Sequence, residues 1–157
     1  MIEIAIPSLK GISIEHLVLD YNGTLAKDGD LLEGVGELLR EIGARLAVHV
    51  VTADTHGTVK KQLHGLPVRV SIINQTHSED EAKLAYINKL RADTVMAVGN
   101  GRNDLLMLSA AGLGVAVIGA EGVCTKTLLA ADVVCARIVD ALELLIYPAR
   151  LVATMRN

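Results

Sequence analysis

Three short polar stretches of the chain each follow an apolar run of strand length. The first, residues 20–25, reads Asp-Tyr-Asn-Gly-Thr-Leu; the second, residues 52–54, reads Thr-Ala-Asp; the third, residues 99–104, reads Gly-Asn-Gly-Arg-Asn-Asp. A carboxylate can act as a nucleophile, and a hydroxyl group with glycine-spaced backbone N–H groups can hold phosphate oxygens. Oxygen ligands from two separate loops can bind Mg²⁺. The residue types therefore indicate phosphoryl chemistry, if the fold brings the three stretches together.

The elements that must position these residues follow from the alternation of apolar runs with segments of helical periodicity. Strands are predicted at 17–19, 46–51, 68–73, 94–98, 115–118 and 133–135, and helices at 31–42, 58–63, 79–90, 103–110, 124–130 and 139–146. This order is typical of an α/β fold with helices on both faces of a parallel sheet, which is a three-layer, doubly wound, Rossmann-like arrangement. Ligands of such sheets bind beyond the carboxyl ends of the strands, where all three polar stretches fall.

The two ends of the chain carry further signals. Residues 2–6 and 11–14 flank Pro7 and predict a short N-terminal β-hairpin. Pro148 is expected to end the last helix and to leave a short tail after it. Because the linkers are short and no repeat is visible, residues 1–157 are predicted to form a single domain.

Composition narrows the classes of function. The 157 residues are 51% hydrophobic with no Trp, no Phe and three Tyr, so the core must be aliphatic and base-stacking surfaces are not expected. The net charge is −3 without a Lys/Arg cluster, which argues against nucleic acid as a partner. Cys124 and Cys135 are interpreted as buried small hydrophobes. No signal peptide or membrane-length apolar run is visible, so a cytoplasmic location is expected.

The polar stretches resemble the motifs of a known family. Asp-x-x-Gly-Thr-Leu at residues 20–25 resembles the first motif of the haloacid dehalogenase superfamily, and Thr52 resembles the second. Lys83 stands where the third motif has its lysine, with Lys89 nearby as an alternative, and residues 99–104 resemble the fourth motif, G-D-G-x-N-D. The motifs occur in family order over nearly the whole chain. Within the superfamily, the closest resemblance is to the phosphorylation domain of P-type ATPases, with its D-K-T-G-T-L, T-G-D and G-D-G-x-N-D signatures.

The resemblance implies a role for each matched residue. Asp20 would attack phosphorus and carry an aspartyl-phosphate, and Lys83 would balance the charge of the nucleophile and the phosphate. The implied phosphate-binding residues are Gly23, Thr24, Thr52 and Ala53, and the implied Mg²⁺ ligands are Asp20, Asn22 through its backbone carbonyl, Asn100 and Asp104. The expected partner is a phosphorylated small molecule or an acyl phosphate.

Two positions depart from the family pattern. Phosphatases of the family usually carry a second aspartate two residues after the nucleophile, where this chain has Asn22. An amide cannot exchange protons near pH 7, and general acid–base help is worth roughly 10²–10⁴ in rate, so hydrolysis should be slow. Asn100 replaces a metal-binding aspartate, which should weaken Mg²⁺ affinity unless Asp54 compensates. His56 is either a helix-start residue or a substitute proton shuttle.

A cap domain, which closes the site in many relatives, has no room in the two short gaps at residues 26–30 and 74–78. The site is therefore expected to be open, or to be closed by a second copy of the chain in a homo-oligomer. Three functions stay open: a slow Mg²⁺-dependent phosphohydrolase or phosphotransferase, an ATP-autophosphorylating domain of the pump type, and a binding or scaffold protein that has lost the reaction.

Overall fold

The structure is a computed structural model that describes residues 1–7, 11–55, 57–73 and 78–156. The strands are β1 (Ile2–Ile4), β2 (Ile12–Ile14), β3 (His16–Leu19), β4 (Ala26–Lys27), β5 (Asp30–Leu31), β6 (Ala47–Thr52), β7 (Val68–Ile72), β8 (Val95–Gly99), β9 (Leu113–Val117) and β10 (Val133–Cys135). The helices are α1 (Val35–Gly43), α2 (Val59–Gln62), α3 (Glu79–Lys89), α4 (Leu105–Ala110), α5 (Thr125–Ala130), α6 (Ile138–Ile146) and α7 (Pro148–Met155). Single 3₁₀ turns occupy Ala92–Thr94 and Arg102–Asp104.

The central sheet is parallel and has the strand order β10-β9-β8-β3-β6-β7. β3 lies in its middle, and Leu19 at the end of β3 pairs with Val98 of β8 on one side and Val50 of β6 on the other. The chain therefore leaves β3 toward β6 and β7, and returns to the other side of β3 with β8. Such a switch point forms a crevice at the carboxyl ends of the strands.

Helices cover both faces of this sheet, which confirms the predicted three-layer, doubly wound α/β fold. On one face, Leu17, Leu19 and Val50 belong to the larger core cluster, together with side chains of α1, α6 and α7. On the other face, Val18 and Val51 belong to a second cluster with residues of α3 and α4. Because both faces are covered, β8 and β9 are buried along their whole length, as their continuous apolar sequences require.

Three local predictions can be compared with the structure. β1 and β2 pair antiparallel, as expected for the N-terminal hairpin. The helix expected from residue 31 begins instead at Val35, since Leu31 belongs to β5 and Gly34 adopts a left-handed φ of 79° before the helix. Pro148 does not lead into a tail, because it is the first residue of α7. Proline suits that position, where its missing N–H has no helical partner anyway.

The two cysteines differ in burial. Cys135 is buried as predicted, but Cys124 is only half-buried because it precedes α5 at the surface, so the prediction was wrong for that residue. Within the described residues, every helix is too short or too polar to cross a membrane.

Candidate active site

The three polar stretches meet at the carboxyl end of the central sheet. Asp20 follows β3, and its backbone N–H donates to the carbonyl of Val98 in β8 at 3.0 Å. Thr52 ends β6 on the other side of β3, and Asn100 follows β8. The parallel register of β8, β3 and β6 thus brings loops distant in sequence to one edge of the sheet.

A lysine buried between two carboxylates forms the centre of the site. Lys83 Nζ lies 2.7 Å from Asp20 Oδ1 and 2.7 Å from Asp104 Oδ1, and 3.4 Å from Glu79 Oε1 one helical turn earlier in α3. Lys83 is 0% exposed, whereas the alternative, Lys89, lies at the surface. The ammonium group donates hydrogen bonds to Asp20 and Asp104, and Glu79 adds a longer ionic contact. A buried lysine requires such partners, because an unpaired charge is strongly disfavoured in the interior.

Burial and neighbouring charges shift the pKa values of Asp20 and Lys83. Burial raises the pKa of Asp20 to about 7, and the nearby charge of Asp104 adds to the rise, while Lys83 works against both. Burial alone would lower the pKa of Lys83, but Asp20 and Asp104 outweigh it and raise the pKa above the ordinary value. Lys83 therefore stays charged at physiological pH and supplies a fixed positive charge beside the nucleophile.

Asp104 also fixes the loop after β8. Its Oδ2 accepts the backbone N–H groups of Asn100 and Gly101, both at 2.9 Å, and its side chain is fully buried. A side chain at Gly99 would collide with the carboxyl group of Asp104, which explains the need for glycine there. Both oxygens of Asp104 are thus occupied, one by Lys83 and one by two loop N–H groups.

Asn100 links the first loop to the loop that follows β9. Thr24 Oγ1 lies 3.3 Å from Asp20 Oδ2 and 3.2 Å from Asn100 Oδ1, and Asn100 Nδ2 donates to the carbonyl of Gly122 at 2.9 Å. Gly23 has a φ of 78°, and a Cβ there would lie 2.5 Å from Asn100 Nδ2. The close approach of the two loops therefore depends on glycine at this position.

Asn22 sits in the same loop as Asp20, before β4 begins at Ala26. Its backbone forms a bridge with Ala26. Among the side chains that the structure describes, Asn22 Oδ1 is the buried oxygen without a hydrogen-bond partner. An unsatisfied buried acceptor is disfavoured by about 1–3 kcal/mol, so a donor from water or a ligand would stabilise it.

The loop after β6 is arranged differently from the other two. Thr52 is buried, and its Oγ1 accepts the backbone N–H of Asp54 at 3.1 Å. Asp54 has a φ of 51°, and its Oδ1 accepts the N–H groups of Thr58 and Val59 at the start of α2. Asp54 therefore caps this helix. Ala53 is half-buried, and His56 lies outside the described residues.

Two side-chain oxygens beside Thr24 are candidate ligands for Mg²⁺. The single proton of the Thr24 hydroxyl can be donated to Asp20 Oδ2 or to Asn100 Oδ1, so one of these two oxygens always lacks a donor. These oxygens, like the backbone carbonyl of Asn22 that the motif resemblance implies as a further ligand, are of the hard type that Mg²⁺ prefers, and Asp20 is the charged group among them. Within the described ranges, no group of three or more His, Cys, Asp or Glu side chains could hold a metal ion.

The sequence interpretation missed the hairpin that β4 and β5 form after the Asp20 loop. β4 and β5 are joined by Asp28 and Gly29, which both have positive φ values, of 53° and 88°. Asp-Gly between short strands is a recognised signal for such a turn, so it could have been found. The Tyr21 and Thr58 hydroxyls both donate to the carbonyl of Gly29 at 3.0 Å, which fixes the hairpin to the core.

A buried histidine network was also missed, because His16 and His49 lack metal-like spacing. His49 Nε2 lies 3.1 Å from His16 Nδ1, and His49 Nδ1 lies 2.9 Å from the hydroxyl of Tyr86 in α3. Burial lowers the pKa of His49 to about 4, with smaller contributions from His16 and Arg69. His49 is therefore neutral near pH 7, and it anchors the helix that carries Lys83. Arg102 is exposed.

Comparisons with known proteins agree with this fold. The model of the haloacid dehalogenase-like hydrolases matches residues 67–135. An uncharacterized protein of Methanocaldococcus jannaschii is 45% identical over 84 residues, which are 51% of this chain and 90% of that protein. A cadmium/zinc-transporting ATPase of Oryza sativa subsp. japonica is 28% identical over 116 residues, which are 69% of this chain and 11% of the ATPase.

One solved structure gives the same picture of the fold. The 3-deoxy-D-manno-octulosonate 8-phosphate phosphatase of Moraxella catarrhalis, crystallised with magnesium and phosphate ions, superposes with a TM-score of 0.68 at 17% sequence identity. The match covers 90% of this chain and 92% of the phosphatase. Residues 67–135 thus match the haloacid dehalogenase-like hydrolases, and the chain as a whole has the fold of a phosphatase of this kind.

Proposed function

We propose that the chain is a Mg²⁺-dependent phosphohydrolase or phosphotransferase that forms an aspartyl-phosphate on Asp20. The observation that carries the proposal is the contact of 2.7 Å between Asp20 and the fully buried Lys83 at the switch point of the sheet. A nucleophile held beside a fixed positive charge is what phosphoryl transfer requires, because catalysis of this reaction is mainly positioning and charge stabilisation.

In the first step, a carboxylate oxygen of Asp20 bonds to phosphorus and the bond between phosphorus and the leaving group breaks. Lys83 offsets part of the charge of the incoming phosphate, since its ammonium group is permanently protonated. Thr52 and Ala53 would hold the phosphoryl oxygens through hydroxyl and N–H groups. Gly23 and Thr24 were also predicted to bind phosphate, but their N–H groups donate to the carbonyls of Ala26 and Tyr21. In the second step, water attacks the phosphorus and Asp20 is regenerated.

Mg²⁺ would be held by Asp20, the backbone carbonyl of Asn22 and Asn100, and it would supply further positive charge to the phosphoryl oxygens. Asp104 was predicted as a fourth ligand. Its hydrogen bonds with Lys83, Asn100 and Gly101 instead favour a positioning role. The magnesium ion named for the Moraxella phosphatase structure supports the use of a divalent cation.

The second step should be slow. Asn22 stands where an acid or base would serve both steps, and an amide does neither. We expect the phosphorylated form to persist, with turnover reduced by roughly 10²–10⁴ relative to an enzyme with an aspartate there. A phosphorylated small molecule is the proposed substrate, in keeping with the name of the Moraxella phosphatase, and closure of the site by a second copy of the chain remains part of the proposal.

The proposal is tested by incubating the full chain with acetyl phosphate and Mg²⁺, quenching in acid and locating the phosphoryl group by peptide mass spectrometry. We expect one phosphate, on the peptide that contains Asp20, and none in the Asp20→Asn variant. Far-ultraviolet circular dichroism of that variant controls for folding. Labelling that persists in Asp20→Asn, or a folded wild-type chain that never becomes labelled, would refute the proposal.

Two further candidates rest on specific observations. Similarity to the rice ATPase favours an ATP-autophosphorylating domain, which labelled ATP would reveal as an acyl phosphate on Asp20. Asn100 is held by hydrogen bonds with Thr24 and Gly122, which favours a binding or scaffold protein without activity. The Asn22→Asp, Asn100→Asp double variant distinguishes an impaired enzyme from a scaffold. A large gain of phosphatase activity would mean that Asn22 and Asn100 alone limit the reaction, and no gain would favour the scaffold.

A further inference from the structure

This inference rests on the proposed function and concerns the substrate of the same site. We propose that the substrate is an acyl phosphate, because the groups that the structure describes around Asp20 cannot protonate a departing alkoxide or phenoxide. Such a site releases only leaving groups that are stable as anions. The carboxylate released from an acyl phosphate is such a group, whereas the alkoxide released from a simple phosphate ester is not.

The ammonium group of the site is held between carboxylates. Lys83 donates hydrogen bonds to Asp20 and Asp104, both at 2.7 Å, and lies 3.4 Å from Glu79 Oε1. Giving up a proton would leave these buried carboxylates without a counter-charge. Lys83 therefore stabilises charge but does not act as the acid.

The remaining protons of the site belong to groups that do not ionise near pH 7. The Thr24 hydroxyl is shared between Asp20 Oδ2 and Asn100 Oδ1. The Tyr21 hydroxyl is buried and donates its proton to the carbonyl of Gly29 at 3.0 Å, so it is already engaged. The position beside the nucleophile holds Asn22, whose Oδ1 is buried and accepts nothing.

The step balances without an acid. An oxygen of Asp20 forms a bond to phosphorus, the bond between phosphorus and the acyl oxygen breaks, and a carboxylate leaves with the electron pair. Water then attacks the aspartyl-phosphate, releases its proton to solvent and yields inorganic phosphate. Asn22 Oδ1 can accept a hydrogen bond from this water, which would satisfy the one buried acceptor that the loop leaves unpaired.

The surroundings of the nucleophile favour a small acyl group over a nucleotide. A cavity of about 360 Å³ is bordered by Thr24, whose hydroxyl contacts Asp20, although Asp20 itself does not line it. Its other lining residues include the aliphatic Leu32, Ile138 and Val139 and the charged Glu33 and Arg137. The chain has no Trp and no Phe, and its described lining contains no aromatic ring on which a base could stack. A short aliphatic acyl chain matches both the size and the apolar character of this cavity.

The test compares leaving groups of graded basicity. The full chain with Mg²⁺ is assayed on acetyl phosphate and on dinitrophenyl, nitrophenyl and phenyl phosphate, and kcat/KM is measured for each. Acetyl and dinitrophenyl phosphate should react, and phenyl phosphate should be slower by ~10³-fold or more, because acid help is absent. Asn22→Asp should accelerate phenyl phosphate by ~10²–10⁴ and acetyl phosphate by less than ~10-fold.

Controls make the outcomes decisive. Asn22→Ala should keep the wild-type ratio between dinitrophenyl and phenyl phosphate, since it adds no acid. Comparable rates for these two esters in the wild type, abolished by His56→Gln, would overturn the inference by identifying an acid. Failure of Asn22→Asp to accelerate phenyl phosphate, or a preference for ATP over acetyl phosphate, would also overturn it. If no substrate labels Asp20 at all, the proposed function itself fails, which is a distinct result.

Discussion

Lys83 Nζ lies 2.7 Å from Asp20 Oδ1, with the side chains 0% and 6% exposed. The same ammonium group contacts the buried Asp104, so one positive charge compensates two negative charges in the interior. Such an arrangement is sensitive to the loss of its central member, because each carboxylate would then be buried without a partner.

The first prediction concerns this lysine. Lys83→Met should lower the free energy of unfolding by ~3–5 kcal/mol at pH 7, since it removes the counter-charge of both carboxylates. Lys89→Met, at an exposed position of the same helix, is the matched control and should change stability by less than ~0.5 kcal/mol. Urea unfolding followed by circular dichroism measures both, and equal stabilities would contradict the central role of Lys83.

The second prediction concerns Asp20 and pH. Its pKa is raised from 3.8 to about 7, so the folded chain binds this proton more tightly than the unfolded chain. The resulting stability is fully present below about pH 4 and is lost as pH rises toward 7. Asp20→Asn should therefore match the wild type in acid and exceed it above pH 7, by on the order of 1–3 kcal/mol. A variant less stable than wild type at pH 8 would contradict this sign.

Sequence predicted the sheet and the meeting of the loops because both depend on local patterns. Runs such as residues 46–51, apart from His49, and 95–98 are apolar, as expected for a sheet buried on both faces. Because parallel strands end at the same edge of a sheet, the residues that follow them, Asp20, Thr52 and Asn100, must lie at that edge. The burial of Lys83, in contrast, depends on how α3 packs, and the helix pattern allowed Lys89 equally well.

The hydrogen bonds that define the site could not be predicted from the sequence. The motif resemblance offered Asp104 as a metal ligand, but its two oxygens are occupied by Lys83 and by the N–H groups of Asn100 and Gly101. Asp54 was considered as a compensating ligand, yet a left-handed φ of 51° lets it cap α2. Backbone conformation at single residues decided both cases, and periodicity carries no information on it.

The third prediction concerns the buried His49. Its pKa is lowered from 6.5 to about 4, so the unfolded chain binds this proton more tightly, and stability is lost as pH falls from about 6.5 toward 4. This loss should reach ~3 kcal/mol. The trend is opposite to that of Asp20, and the two partly cancel in the wild type. His49→Gln should remove the His49 contribution, so that its stability falls more steeply with rising pH between 4 and 6.5 than that of the wild type.

The fourth prediction concerns metal affinity. Asn100→Asp places a second carboxylate beside Asp20 Oδ2 and Thr24, so it should raise Mg²⁺ affinity by ~10–100-fold, because affinity follows the charge of the ligands. Without metal, the same change should destabilise the fold through repulsion from Asp20. Isothermal titration calorimetry measures the first effect, and thermal unfolding with and without Mg²⁺ measures the second. Unchanged affinity would remove Asn100 from the ligand set.

The fifth prediction concerns the pH dependence of phosphorylation. Asp20 must be ionised to attack phosphorus, and burial raises its pKa to about 7 in the metal-free chain. Because a bound cation favours the ionised form, the rate of labelling by acetyl phosphate with Mg²⁺ should rise with pH and level off at or below neutrality. Lys83, facing Asp20, Asp104 and Glu79, has a raised pKa and keeps its charge, and Asn22 does not titrate, so no descending limb is expected up to pH 9. Asn22→Asp should introduce one for phenyl phosphate, because its acid form is then required. Rapid-quench labelling from pH 5 to 9 distinguishes these shapes, and a bell-shaped profile in the wild type would reveal a titrating acid that these groups do not provide.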